Sequence, residues 1–136
     1  MIQRIQSVWL LIASIVSILT LKFSFYSGTH QPDNLYHQLN GTENILLMFI
    51  TVTLGVLTLI TIFLFKTRVI QLRLCIVAIV LDLLLIFLYF RAIQNFSNGD
   101  FAITSTFHLL IIISLIFAAS GINRDEKLVK DSNRLR

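Results

Sequence analysis

The stretch that most constrains this chain is 45–90: two apolar runs separated by the basic segment Lys66-Thr-Arg-Val-Ile-Gln-Leu-Arg73. No charged residue occurs from 45 to 65, and from 74 to 90 there is one, Asp82, in the middle of the run. Each run approaches the roughly 20 residues that a helix needs to cross the hydrocarbon core of a bilayer. The linker is too short and too basic to be anything but a turn on the side of the membrane that retains positive charge. A transmembrane hairpin is therefore expected, and it fixes the topology of the remainder.

The composition agrees. With 56% hydrophobic and 13% charged residues, the chain lacks the polar groups to cover its own apolar surface in water, so lipid must be part of its solvent. The 136 residues are enough for one domain. The net charge of +4 does not point to nucleic acid, because the basic residues lie in short segments flanking apolar runs. Cys75 is the one cysteine, which excludes an internal disulfide and a Cys-x-x-Cys redox pair.

The pattern predicts helices at about 7–26, 44–65, 74–90 and 101–119, an all-α antiparallel bundle of four transmembrane helices in a single domain over 1–136. Trp9 and Tyr26 fall near the ends of the first span, with Lys22 snorkelling to the interface. Cleavage as a signal peptide is disfavoured, since Phe25 stands where a small residue would be needed before Ser27. Residues 27–43 contain Gly28, Pro32, Asn34, Asn40 and Gly41 and read as a loop without strand or helix periodicity. A second loop is expected over 91–100. Of the Lys and Arg residues, nine (Arg4, Lys66, Arg68, Arg73, Arg124, Lys127, Lys130, Arg134 and Arg136) lie on one side and two (Lys22 and Arg91) on the other, which places both termini in the cytoplasm.

The tail, 121–136, reads as helical, with Glu126 and Lys130 at i,i+4 and Leu128 and Leu135 on one stripe. Its five basic residues against Asp125, Glu126 and Asp131 leave +2, short of the clusters of about four to eight basic residues typical of lipid-binding segments. Docking on a cytoplasmic protein through Arg124, Asp125, Glu126, Arg134 and Arg136 is the stronger expectation.

Asp82 is the residue with most chemical interest. A carboxylate at the centre of a spanning helix costs at least about 2.5–3.5 kcal/mol on insertion, so it is expected to face the interior and find a partner. At a rise of about 1.5 Å per residue, Ser14, Ser17, Thr51 and Thr53 fall near its depth, with His108 on the order of 5 Å above. These residues predict a polar layer near the midplane. It reads either as a proton relay between Asp82 and His108 or, more often for a layer rich in hydroxyls, as a neutral acid that pins helix register. The pairs Thr51-x-x-x-Gly55, Ala13-x-x-x-Ser17 and Ser114-x-x-x-Ala118 allow close helix approach. His30, Asp33 and His37 share a loop but have no fixed geometry and no fourth ligand, so no metal site and no cofactor are expected. Phosphate-loop, nucleophile-elbow and His-Glu-x-x-His patterns do not occur.

Met1-Ile-Gln-Arg4 with Gln6 at the start, and Arg124-Asp-Glu-Lys-Leu-Val129 with Arg134-Leu-Arg136 at the close, resemble a family of bacterial four-span membrane proteins known as domain of unknown function 4293. The resemblance spans essentially the whole chain. It departs at Asp131 and Asn133, where the family pattern leads one to expect serine and aspartate. It implies a multi-pass protein of the bacterial inner membrane and adds no catalytic residue. The expected function is a non-catalytic scaffold or accessory subunit whose tail meets a cytoplasmic partner. The alternative is a small homo-oligomeric proton-coupled transporter using Asp82. An enzyme would need two reactive groups near one interface, and the chain offers no convincing pair.

Overall fold

The computed structural model describes residues 3–30 and 35–134, with side chains described over 5–30 and 35–131. Among the described residues four α-helices form: α1 (Gln3–Leu19), α2 (Ile45–Phe63), α3 (Arg68–Ile93) and α4 (Thr106–Arg134). The described residues also form the strands β1 (Ser24–His30), β2 (Leu35–Asn40) and β3 (Phe96–Phe101). Each helix packs on its sequence neighbour, and α4 closes the ring against α1. α2, α3 and the segment Ile103–Asp131 are long and apolar enough to cross a membrane, whereas the apolar part of α1, Ile5–Leu19, is shorter.

The buried residues explain why the helices close into a ring. On α3 they are Gln71, Cys75, Ala78, Asp82, Leu85 and Tyr89, spaced alternately by four and three. α2 repeats this with Leu47, Thr51, Leu54, Thr58 and Thr61, and α4 with His108, Ile111, Leu115, Ala118, Ile122 and Asp125. α1 does the same with Gln6, Leu10, Ala13, Ser17 and Thr20, its last member just past the helix end. A 3.5-residue period keeps one stripe of each helix facing its neighbours. Within the apolar spans the stripes carry the buried polar side chains Ser17, Thr51, Thr58, Asp82 and His108, while Phe49, Phe63, Phe87 and Ile113 point outward. Apolar outside and polar within is the distribution expected of helices solvated by lipid tails.

The hydroxyls of α2 are satisfied on their own helix. Asn44 caps α2 by accepting from the Leu46 amide. The hydroxyls of Thr51, Thr53, Thr58 and Thr61 donate to carbonyls four residues back, which lets them sit in an apolar helix without an orphaned donor. Gly55 lets α1 approach α2: a Cβ there would lie 3.0 Å from Ser17 Oγ. The Gly55 carbonyl accepts a hydrogen bond from Ser14 Oγ at 3.1 Å.

Four sequence expectations are corrected, the first being the basic turn over 66–73: its residues from Arg68 on are the opening turns of α3, which runs on to Ile93. The architecture is not all-α, because both segments expected to be loops contribute to an antiparallel sheet of order β2-β1-β3. The first helix does not run to residue 26: it ends at Leu19, a turn follows, and Tyr26 is a strand residue packed on Phe96 and Phe101. The last helix does not stop at 119. It continues through Gly121 to Arg134, 29 residues or about 43 Å. The sheet escapes a search for alternation because its close β1–β3 contact depends on glycine. Gly28 stands opposite Gly99, and a Cβ on Gly28 would fall 2.8 Å from the Gly99 Cα.

Candidate functional site

In the half of the ring nearest the sheet, Asp82 of α3 and His108 of α4 face the interior. Asp82 lies between Ala78 and Leu85 on the buried stripe of α3, and His108 is the third residue of α4. Asp82 Oδ1 and His108 Nδ1 are 2.8 Å apart and share a hydrogen bond. Relative exposure is 0% for Asp82 and 2% for His108, so the pair is sealed from the surface. Among the described residues, the second carboxyl oxygen, Oδ2, has no hydrogen-bond partner.

Aromatic rings close the site. Phe25, from β1, stacks on Tyr89 at 4.4 Å and meets the His108 ring edge-on at 5.6 Å. Tyr89 is itself 5.3 Å from the His108 ring. Phe90 and Phe101 pack around Phe25, and the Ala102 amide donates to the Phe25 carbonyl at 3.1 Å. The sheet therefore acts as a lid whose central strand drives a phenyl ring down onto the acid–imidazole pair. Proximity to two aromatic faces excludes water and strengthens whatever hydrogen bond the pair makes.

The predicted polar layer separates into unconnected parts. Asp82 and His108 meet, and among the described residues neither bonds a hydroxyl from the other helices. Ser17 Oγ donates to the Ser14 carbonyl at 2.8 Å, Thr51 Oγ1 to the Leu47 carbonyl at 2.7 Å and Thr53 Oγ1 to the Phe49 carbonyl at 2.7 Å. Thr53 lines an outward groove of about 380 Å³ with Val52, Val56 and Ile60, away from Asp82. Tyr89 and Phe25 are absent from the polar layer that the sequence predicts. Tyr89 sits seven residues beyond Asp82 on the same stripe, a spacing that would have found it.

A second polar cluster ties the opposite end together. Gln6 Nε2 donates to Asp125 Oδ2 at 2.8 Å, joining the start of α1 to the end of α4 across 119 residues of sequence. Arg68 Nη1 donates to the Asp125 carbonyl at 3.0 Å, and Gln71 Nε2 to the Thr61 carbonyl at 3.2 Å. Asp125 is thus engaged within the chain. Arg124 is exposed, Glu126 pairs with Lys130 at 2.6 Å, the Arg134 side chain lies outside the described set and Arg136 lies outside the described residues.

On the sheet, the His30 and His37 rings are 5.9 Å apart, and Asp33 lies outside the described residues. Burial pushes the nearby Glu43 carboxyl above its ordinary range, opposed by His37 and His30. Among the described residues, no three His, Cys, Asp or Glu side chains are grouped to hold a metal.

An apolar exterior, polar inward stripes and an ionisable pair sealed between helices define a small helical membrane protein. The chain belongs to the family described as Domain of unknown function (DUF4293), which matches residues 2–135. No curated protein and no solved structure matches it.

Proposed function

We propose that this is a non-catalytic scaffold or accessory subunit of the bacterial inner membrane, with four spans, both termini cytoplasmic and the end of α4 as its partner-facing element. The observation that carries this reading is the closure of the Asp82–His108 pair: a substrate path would need water at the acid, and here aromatic rings and neighbouring helices enclose it. The excess of basic residues at the end away from the sheet supports the orientation. α4 is about 13 Å longer than a hydrocarbon core of about 30 Å, so its charged end stands clear of the bilayer. There Arg124, Lys127, Leu128 and Asp131 share an exposed face.

The transporter reading retains one supporting observation, the unpartnered Oδ2 of Asp82. Proton flux into proteoliposomes separates the two. The scaffold reading expects wild-type vesicles to hold an imposed pH gradient as well as empty ones. A leak that disappears in Asp82→Asn would overturn it in favour of the transporter.

A further inference from the structure

The turn between α2 and α3 and the last turns of α4 enclose a groove of about 800 Å³ whose two kinds of lining belong to one kind of ligand. Lys66, Arg68 and Lys130 supply three positive charges, and Glu126 is the single acid. Lys66 makes no ion pair among the described residues. Arg68 uses Nη1 on the Asp125 carbonyl and keeps other donors of its guanidinium fork. Lys130 is bound to Glu126 but is 71% exposed. The wall is apolar: Phe65, Val69 and Val129 are each exposed where they line it.

We propose that this groove binds the headgroup of an anionic phospholipid, with the phosphate among Lys66, Arg68 and Lys130 and the upper acyl chain against Phe65 and Val69. Charge complementarity selects an anion, since the lining carries a net +2. The apolar wall selects a lipid over a soluble phosphate, which would gain nothing from it. The groove also lies where a headgroup would be, beside the ends of two apolar helices, at Phe63 and Arg68. The Thr67 side chain bonds back to the Leu64 carbonyl rather than capping α3, so the first-turn amides add to the positive field. Glu126, Val129 and Lys130 line the groove, while Arg124, Lys127, Leu128 and Asp131 occupy another face, so lipid and protein partner do not compete. The inference rests on the membrane placement proposed above and not on the scaffold role.

The test is thermal unfolding of the full chain in neutral detergent, titrated with phosphatidylglycerol, phosphatidylcholine or inorganic phosphate. Phosphatidylglycerol is expected to raise the melting temperature saturably, with phosphatidylcholine and phosphate far weaker. Each charge near a membrane surface is worth about 1 kcal/mol, or about fivefold in affinity. Lys66→Glu, a change of two charges, should therefore raise the half-saturating lipid concentration by about 25-fold, and Glu126→Gln, a change of one, should lower it by about fivefold. Lys66 is exposed, so its unliganded melting temperature should stay near that of the wild type. An equal response to phosphatidylcholine, an equal response to inorganic phosphate, or variants that titrate like the wild type would each overturn the proposal. None of these outcomes touches the proton-flux test of the scaffold reading.

Discussion

Asp82 and Asp125 are both buried carboxylates on inward helix stripes, and they are held in opposite ways. Asp82 lies within the span, meets another ionisable side chain, and has one oxygen without a partner among the described residues. Asp125 lies beyond the apolar part of α4, accepts from the neutral Gln6 amide, and has the Arg68 guanidinium on its own backbone carbonyl. The first is fully buried, whereas the second is 7% exposed near the polar end of the protein. Loss of a partner is thus expected to cost far more at Asp82 than at Asp125.

The largest effect is expected for His108→Leu, which strands Asp82 in a dry interior. Breaking a buried pair by removing one member typically costs about 3–5 kcal/mol, so unfolding in detergent should shift to markedly lower temperature. Gln6→Leu is the matching experiment at the other end. It should cost about 1–2 kcal/mol, because Asp125 can recover a water, and a loss as large as that of His108→Leu would erase the contrast. Asp125→Asn keeps an acceptor for Gln6 and should cost less than about 1 kcal/mol by the same assay. Smallest is Lys130→Ala: its pair with Glu126 is an exposed i,i+4 contact worth about 0.3–0.5 kcal/mol, so the melting temperature should barely move.

The two sites also differed in how far they could be read from sequence. Asp82 stood out because it is the single charge in its apolar run, and depth counting brought His108 within reach. The rise per residue gives a depth but no azimuth, so Ser14, Ser17, Thr51 and Thr53 were grouped with Asp82 although their hydroxyls turn to their own or a neighbouring backbone. The Gln6–Asp125 bond spans nearly the whole chain, and no local pattern encodes a contact of that separation. A signal did exist: Gln6, Leu10, Ala13 and Ser17 fall on one heptad-spaced stripe, which marks Gln6 as inward-facing. The three apolar spans were legible from length and hydropathy. The sheet was not, because β1 and β3 meet through Gly28 and Gly99 and β2 is largely exposed, leaving no alternation of apolar and polar residues to find.

The measurement that tests the central claim most directly is a double-mutant cycle of Asp82→Leu and His108→Leu, read as melting temperature in one detergent. If the pair is a structural pin, each single variant should melt well below the wild type. The double variant, in which two apolar side chains replace two polar ones, should recover most of the loss. A functional carboxylate kept despite its cost behaves otherwise. Asp82→Leu melting at or above the wild-type temperature, with no coupling to His108, would contradict the account and return attention to proton movement through the pair.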